Sequence, residues 1–167
     1  MTWRRLLTPT PPSRLATSRL GKYTNGQVYD PLNLSSKFDV MWLREAELQH
    51  GRVCMLAVCG WLANDKVPAL RFPGVPQVSS LEAHDATVAS GHMWALLAVV
   101  GICEACRMGV VIPRLDGDWS GYEPGDFGLD PLKISSEKNK IAELKHGRLA
   151  MLGFSGLVTQ AALGFSP

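Results

Sequence analysis

The feature that most constrains this chain is a phrase of fifteen residues that occurs twice. ELQHGRVCMLAVCGW begins at Glu47 and ELKHGRLAMLGFSGL begins at Glu143, and eight of the fifteen positions are identical. A shorter pair precedes these phrases, DPLNLSS from Asp30 and DPLKISS from Asp130. An internal repeat means that one structural unit is used more than once. We predict that this unit is a short leader followed by a helix.

Long stretches without charge indicate that the helices lie in a membrane. They extend over residues 53–64, 86–103 and 149–167, and a spanning helix needs about 20 apolar residues. The first stretch is long enough only if the polar segment before it is helical as well. A soluble bundle of buried helices is the alternative, because periodicity alone does not separate the two classes.

The direction of the repeat predicts how many times the chain crosses. Two copies that run the same way enter a membrane from the same side, so one segment between them must cross back. Residues 86–112, bounded by segments rich in Pro and Gly, are the candidate. We therefore predict an all-α membrane protein with a three-helix domain over 41–165, whose spans lie at about 43–64, 86–112 and 141–164. The first and third spans form a crossed pair about a pseudo-two-fold axis along the membrane normal.

Basic residues are concentrated on one side of this topology. The first 44 residues contain seven Lys and Arg against two Asp. Because loops rich in Lys and Arg stay on the cytoplasmic side of a membrane, we expect the N-terminus and the second loop to face a cytoplasm-like or stroma-like compartment. Residues 1–40 are predicted to be an arm and leader. The first 29 residues contain no acid and are rich in Arg, Ser, Thr and Pro, which is typical of a plastid-targeting or stroma-exposed segment.

The charged residues of the repeat need partners if they lie in or near a membrane. On one helix Glu47 and Arg52 diverge by roughly 140°, so Arg52 does not readily reach its own Glu47. A symmetric solution is available across the two helices, with Arg148 bound to Glu47 and Arg52 bound to Glu143. Both pairs are flanked by glycines that permit close helix approach: Gly51 and Gly147.

A glutamate neutralised by arginine keeps oxygen lone pairs that can bind a metal, and each copy of the phrase adds a histidine nitrogen nearby, from His50 and His146. A magnesium ion bound by protein alone needs several oxygen ligands close together. Single oxygen or nitrogen ligands spaced along apolar helices suggest instead a magnesium ion held in a macrocycle. The doubled ELxHGRxxML phrase, the DPL leaders and the three-span spacing together resemble the chlorophyll-binding light-harvesting antenna superfamily of plastids, over about residues 25–165. SSLEAHDATVASGHM and EPGDFGLDPL resemble its chlorophyll a/c branch, which belongs to red-lineage plastids such as those of dinoflagellates and diatoms.

This resemblance implies a set of chlorophyll ligands. On the middle helix Arg107 is expected to pair with Glu104, the implied ligand three residues before it. A further ligand of that helix has no match in this chain, and His92 is the candidate substitute. The magnesium ligands that the resemblance implies are Glu47, His50, Glu104, Glu143, His146 and Gln160.

The resemblance also implies the cofactors and partners. These are chlorophyll a, chlorophyll c and carotenoids of the peridinin, fucoxanthin or diadinoxanthin type, with carotenoid ends at the two leaders. The implied location of the protein is the plastid thylakoid membrane, with the N-terminus in the stroma. The implied partners are thylakoid lipids, photosystem core subunits and neighbouring antenna proteins. The PALRFPG loop resembles the photosystem I type of antenna. Two alternatives remain: a photoprotective quenching member of the superfamily, and a membrane haem protein that uses His50 and His146.

Other patterns in the chain carry no chemistry. Four cysteines lie in apolar helical runs and are expected to be small buried residues rather than metal ligands: Cys54, Cys59, Cys103 and Cys106. No phosphate loop, nucleophile motif or basic aromatic face is present, so we predict neither an enzyme nor a nucleic-acid-binding protein. Three tryptophans are either pigment contacts or interfacial anchors: Trp42, Trp61 and Trp94.

Overall fold

The computed structural model describes residues 29–67, 74, 78–115 and 119–165. Within these ranges the regular structure is helical, which confirms the predicted all-α class. The α-helices are α1 (Val40–Lys66), α2 (Ala83–Ala89), α3 (His92–Val111) and α4 (Glu137–Ala162), with 3₁₀ turns at Leu34–Ser36 and Ile112–Arg114. Most of the predicted N-terminal arm and most of the PALRFPG loop lie outside the described residues.

The two helices of the repeat begin at side-chain caps. Asp39 Oδ1 accepts a hydrogen bond from the backbone N–H of Met41 at 2.7 Å, and Ser136 Oγ accepts one from the backbone N–H of Asn139 at 3.3 Å. Such caps satisfy N–H groups that have no partner inside the helix. The charged phrases over 44–52 and 140–148 are therefore helical, as the predicted spans required.

The middle segment differs from the expected single helix over 86–112. It is divided between α2 and α3 at Gly91, whose φ of 85° lies in the left-handed region that favours glycine. The 3₁₀ turn after Val111 includes Pro113, which cannot donate a backbone hydrogen bond. Among the described residues, one helix is long and apolar enough to cross a membrane: His92–Arg114, 23 residues with a mean hydropathy of 2.0.

The first DPL leader is a turn closed by its aspartate. Asp30 accepts hydrogen bonds from the backbone N–H groups of Leu34 and Ser35, both at 2.9 Å. Asn33, inside the turn, has a φ of 51°. Hydrogen bonds from the Ser35 side chain and from both N–H groups lower the pKa of Asp30.

The second leader has the same local structure. Asp130 accepts hydrogen bonds from the backbone N–H groups of Ile134 at 3.0 Å and Ser135 at 2.8 Å. Lys133, at the position equivalent to Asn33, has a φ of 50°. The repeat found in the sequence is therefore also a repeat of backbone conformation.

The described chain divides into two compact units. One combines residues up to Gln49 with Arg107–Ala142, and the other combines His50–Cys106 with the residues from Glu143 onward. In the second unit α1 meets α4 at Gly51 and Gly147, where a Cβ added to Gly51 would lie 3.0 Å from the Gly147 Cα. Further along the same helices Trp61 meets Phe154 edge-on, with ring centroids 6.1 Å apart. Small residues and then an aromatic pair thus fill the space between the helices.

The expectation that the cysteines are buried is wrong. Cys59, Cys103 and Cys106 are exposed, and Cys54 is partly buried. These helices are apolar on most faces, so an apolar residue in them lies outward as readily as inward. The presence of a cysteine in such a helix therefore does not predict that its side chain is buried.

Candidate functional site

In the first copy of the repeat, the glutamate of the phrase is bound by an arginine of its own helix. Arg44 Nη1 donates to Glu47 Oε2 at 2.7 Å, one turn apart on α1. The Arg44 residue is 8% exposed, whereas the Glu47 side chain is 27% exposed. His50 follows on the same helix and is exposed. This contact between Arg44 and Glu47 was not among the pairs predicted from the sequence.

In the second copy, the glutamate of the phrase is bound from the other helix. Arg52 Nε donates to Glu143 Oε1 at 2.6 Å, and both side chains are 32% exposed. This is one of the two predicted cross-helix pairs. The other, Arg148 with Glu47, stays a prediction. His146, three residues after Glu143, is exposed as His50 is.

Glu45 is a buried carboxylate that the sequence analysis missed. It is 2% exposed and accepts hydrogen bonds from the Tyr122 hydroxyl at 3.0 Å and the Gly125 backbone N–H at 2.6 Å. Arg107 Nη1 lies 3.7 Å from its other oxygen. A buried carboxylate is tolerated when it is paired and hydrogen-bonded, and Glu45 has both kinds of partner. It fastens the start of α1 to the loop after α3.

Tyr122 completes this buried group. Burial raises its pKa from the usual 10.0 to about 12, and the neighbouring Glu45 carboxylate adds to the shift because it disfavours a phenolate. The Arg114 guanidinium lies 4.5 Å from the centre of the ring, a cation–π arrangement. Tyr122 is therefore a hydrogen-bond donor to Glu45 throughout the physiological pH range.

The same loop is also held by the start of α4. Lys140 Nζ donates to Glu123 Oε2 at 2.6 Å. Lys140 stands 96 positions after Arg44, as Glu143 stands 96 after Glu47. Glu45 has Ile141 as its equivalent. This break in the symmetry of the repeat was the sign in the sequence that Glu45 has a role of its own.

The remaining predicted ligands lie at separate places on the helices. Gln160, near the end of α4, is exposed, and Glu104 on α3 is partly buried. The predicted pairing of Glu104 with Arg107 stays a prediction, although Arg107 has Glu45 as an additional neighbour. His92 is exposed, and Ser90 Oγ lies 2.9 Å from its Nδ1. Its role as a substitute ligand stays a prediction.

These residues suit single axial ligation of a metal macrocycle. Among the described residues, no group of three or more His, Cys, Asp or Glu is placed to hold a metal ion. Instead, exposed histidines and partly buried, arginine-bound carboxylates stand singly along helices. A histidine nitrogen or a neutralised carboxylate oxygen each offers one donor for a magnesium whose other positions are already filled by its macrocycle. The donor set therefore fits chlorophyll.

Comparison with known proteins identifies the family. The chain matches the family described as "Chlorophyll A-B binding protein" over residues 11–162. It belongs to this family, which is membrane-embedded and binds pigment rather than catalysing a reaction.

Individual relatives are similar over most of the chain. A fucoxanthin-chlorophyll a-c binding protein of Isochrysis galbana is 31% identical over 157 residues, covering 81% of this chain and 72% of the relative. Fucoxanthin-chlorophyll a-c binding protein F of Phaeodactylum tricornutum is 30% identical over 164 residues, covering 89% and 81%. Light-harvesting complex stress-related protein 3.2 of Chlamydomonas reinhardtii is 35% identical over 150 residues, covering 80% of this chain but 58% of that protein. All three relatives are described as chloroplastic.

Proposed function

We propose that this protein is a light-harvesting antenna that binds chlorophyll a, chlorophyll c and carotenoid and passes excitation energy to a photosystem core. The observation that carries the proposal is the doubled ligand phrase in a chain of the chlorophyll-binding family, with Glu143 held by Arg52 at 2.6 Å. The chlorophyll a/c relatives support the choice of pigments. Fucoxanthin is the carotenoid that their names favour.

The proposed magnesium ligands are those implied by the sequence. Both histidines and Gln160 are exposed, so these residues can contact a pigment beside the helix. Glu47 and Glu143 combine partial exposure with an arginine partner, which stabilises the negative charge of a ligating carboxylate. The full set is Glu47, His50, Glu104, Glu143, His146 and Gln160.

The proposed topology has three membrane spans, formed by α1, α3 and α4, with the N-terminus in the stroma. The apolar helix His92–Arg114 and the membrane-embedded family support it. The parallel repeat requires α1 and α4 to run the same way, with a pseudo-two-fold axis along the membrane normal. Chloroplastic relatives favour the thylakoid membrane of a plastid.

The absorption spectrum of the purified native protein tests the proposal. We expect a red chlorophyll band together with chlorophyll c and carotenoid absorption. A haem protein with His50 and His146 as axial ligands would show a strong Soret band and no red chlorophyll band. Glu143→Ala and His146→Leu variants, reconstituted with pigments, should each bind less chlorophyll than the full-length wild-type chain. Retention of all chlorophyll by both would contradict the ligand assignment.

A photoprotective quencher is the second candidate function. The similarity to a stress-related light-harvesting protein, 35% identical over 150 residues, favours it. The same ligands serve both functions, so the decisive measurement is the fluorescence lifetime of the isolated pigment complex. A long lifetime at both neutral and acidic pH supports harvesting, and a shortened one supports quenching.

A further inference from the structure

The two copies of the repeat differ in the contact made by the cation three residues before the glutamate. In the first copy Arg44 binds Glu47 from within α1 at 2.7 Å. In the second copy the equivalent position is Lys140, which binds Glu123 of the preceding loop instead. Glu143 accepts its hydrogen bond from Arg52 of α1 at 2.6 Å. Equivalent cations thus have different partners.

The burial of Arg44 shows that its bond to Glu47 is a strong constraint. The Arg44 side chain is 9% exposed, and an arginine this buried is stable only when its guanidinium is paired and hydrogen-bonded. Its planar, permanently charged group fixes the orientation of the carboxylate that it binds. A carboxylate has two oxygens with about four acceptor positions, so a bond from Arg44 to Oε2 leaves Glu47 the capacity to ligate a metal.

We infer that Arg44 is a positioning residue for the pigment at Glu47. It orients the carboxylate and balances its charge from the same helix, through a contact of 2.7 Å. A cation beside a ligating carboxylate also reduces the electron density that the oxygen gives to magnesium, which shifts the absorption of that one pigment. The inference rests on the proposed function, in which Glu47 and Glu143 are chlorophyll ligands.

The test uses Arg44→Gln, with Lys140→Gln at the equivalent position as the matched control, in the full chain reconstituted with chlorophyll a, chlorophyll c and carotenoid. The Arg44→Gln spectrum should differ from wild type in the band that a Glu47→Ala complex loses. Lys140→Gln should leave that band unchanged, and Arg44→Lys should restore it. An unshifted band in Arg44→Gln overturns the inference.

Failure of the inference is distinguishable from failure of the proposed function. If Glu47→Ala retains all of its chlorophyll, Glu47 is not a ligand and the ligand assignment itself falls. If Glu47→Ala loses pigment while Arg44→Gln keeps the wild-type spectrum, only the role of Arg44 is wrong.

A double-mutant comparison covers the case in which Arg44→Gln does not fold. Glu47→Gln keeps a ligating amide oxygen but has no charge to balance, so Arg44→Gln should have no further effect in that background. Recovery of reconstitution in the double variant supports the inference, and failure in both backgrounds shows that Arg44 acts independently of Glu47.

Discussion

His50 is exposed on α1, three residues after Glu47. Replacing it with Leu should remove one chlorophyll and leave the complex folded, because the ion pairs and the other ligands persist. The measurement is chlorophyll per polypeptide after reconstitution. His84→Leu is the control, since His84 is also exposed but lies beside Asp85 at 3.0 Å and outside the repeated phrase. Equal chlorophyll content in both variants would make His50 a structural residue.

The equivalent leader residues Asn33 and Lys133 both have left-handed backbone conformations, with φ of 51° and 50°. That conformation is unfavourable by roughly 1–2 kcal/mol for most L-residues, and asparagine adopts it more readily than lysine. Lys133→Asn should therefore stabilise the complex by about 1 kcal/mol. Its mirror control, Asn33→Lys, should destabilise it by a similar amount. Thermal unfolding followed by circular dichroism measures both, and a loss of stability in Lys133→Asn would refute the argument.

The raised pKa of Tyr122 predicts a stability change at high pH. A group whose pKa is higher in the folded state contributes stability below its unfolded value of 10.0, and this contribution disappears as the pH rises through about 12. The unfolding midpoint should therefore fall between these pH values more steeply for wild type than for Tyr122→Phe. At neutral pH the variant should be less stable by about 1–3 kcal/mol, because Glu45 loses a hydrogen bond while buried. Parallel pH profiles would contradict the assignment.

At the residue scale, contacts between residues that occur in both copies of the repeat could be predicted from the sequence. Contacts of residues that occur in one copy only, such as Glu45, could not. The contact of Arg52 with Glu143 could be predicted because both residues occur in both copies and their helical positions exclude pairing within one copy. The partners of Glu45 could not, because they come from Tyr122 and Gly125 in a loop whose path no periodicity specifies. Arg44 was within reach of Glu47 by the ordinary three-residue spacing.

At the element scale, the crossing of α1 and α4 predicts opposite effects for two glycines of the same helix. A Cβ at Gly51 would lie 3.0 Å from backbone of α4, whereas one at Gly60 has no neighbour within 4 Å among the described residues. Gly51→Ala should destabilise the protein by about 1–3 kcal/mol, as overpacking does. Gly60→Ala should stabilise it by about 0.5–1 kcal/mol, because alanine favours the helix. Chemical or thermal unfolding measures both, and a neutral Gly51→Ala would show that the helices separate freely.

The helices themselves were predictable to different degrees. The starts of α1 and α4 follow from Asp39 and Ser136, which cap the charged phrases. The division of the middle segment was harder to foresee, since Gly91 interrupts an apolar run only by its backbone conformation. Periodicity also failed to place the cysteines, because a helix that is apolar on every side has no distinct inner face.

At the scale of the whole molecule, the partner is the main prediction. The described helices expose many large apolar side chains, including Trp94, Leu97 and Ile102 on α3. Such surfaces are covered by pigment, lipid or protein in a membrane. We expect the protein to fractionate with photosystem I when thylakoids are solubilised in mild detergent, with peptide mass spectrometry as the readout. Recovery only with free antenna or photosystem II would reject this partner and leave the antenna function intact.

The meeting of Gly51 with Gly147 has a consequence for the optical properties of the complex. At this point main chain faces main chain, and neither residue has a rotamer to exchange. The separation of the helices here is therefore a property of the peptide backbone and does not vary with the thermal populations of side chains. Electronic coupling between pigments falls steeply with distance. Under the proposed ligand assignment, pigments bound to α1 and α4 on either side of this contact would therefore keep a coupling, and a colour, that warming changes little.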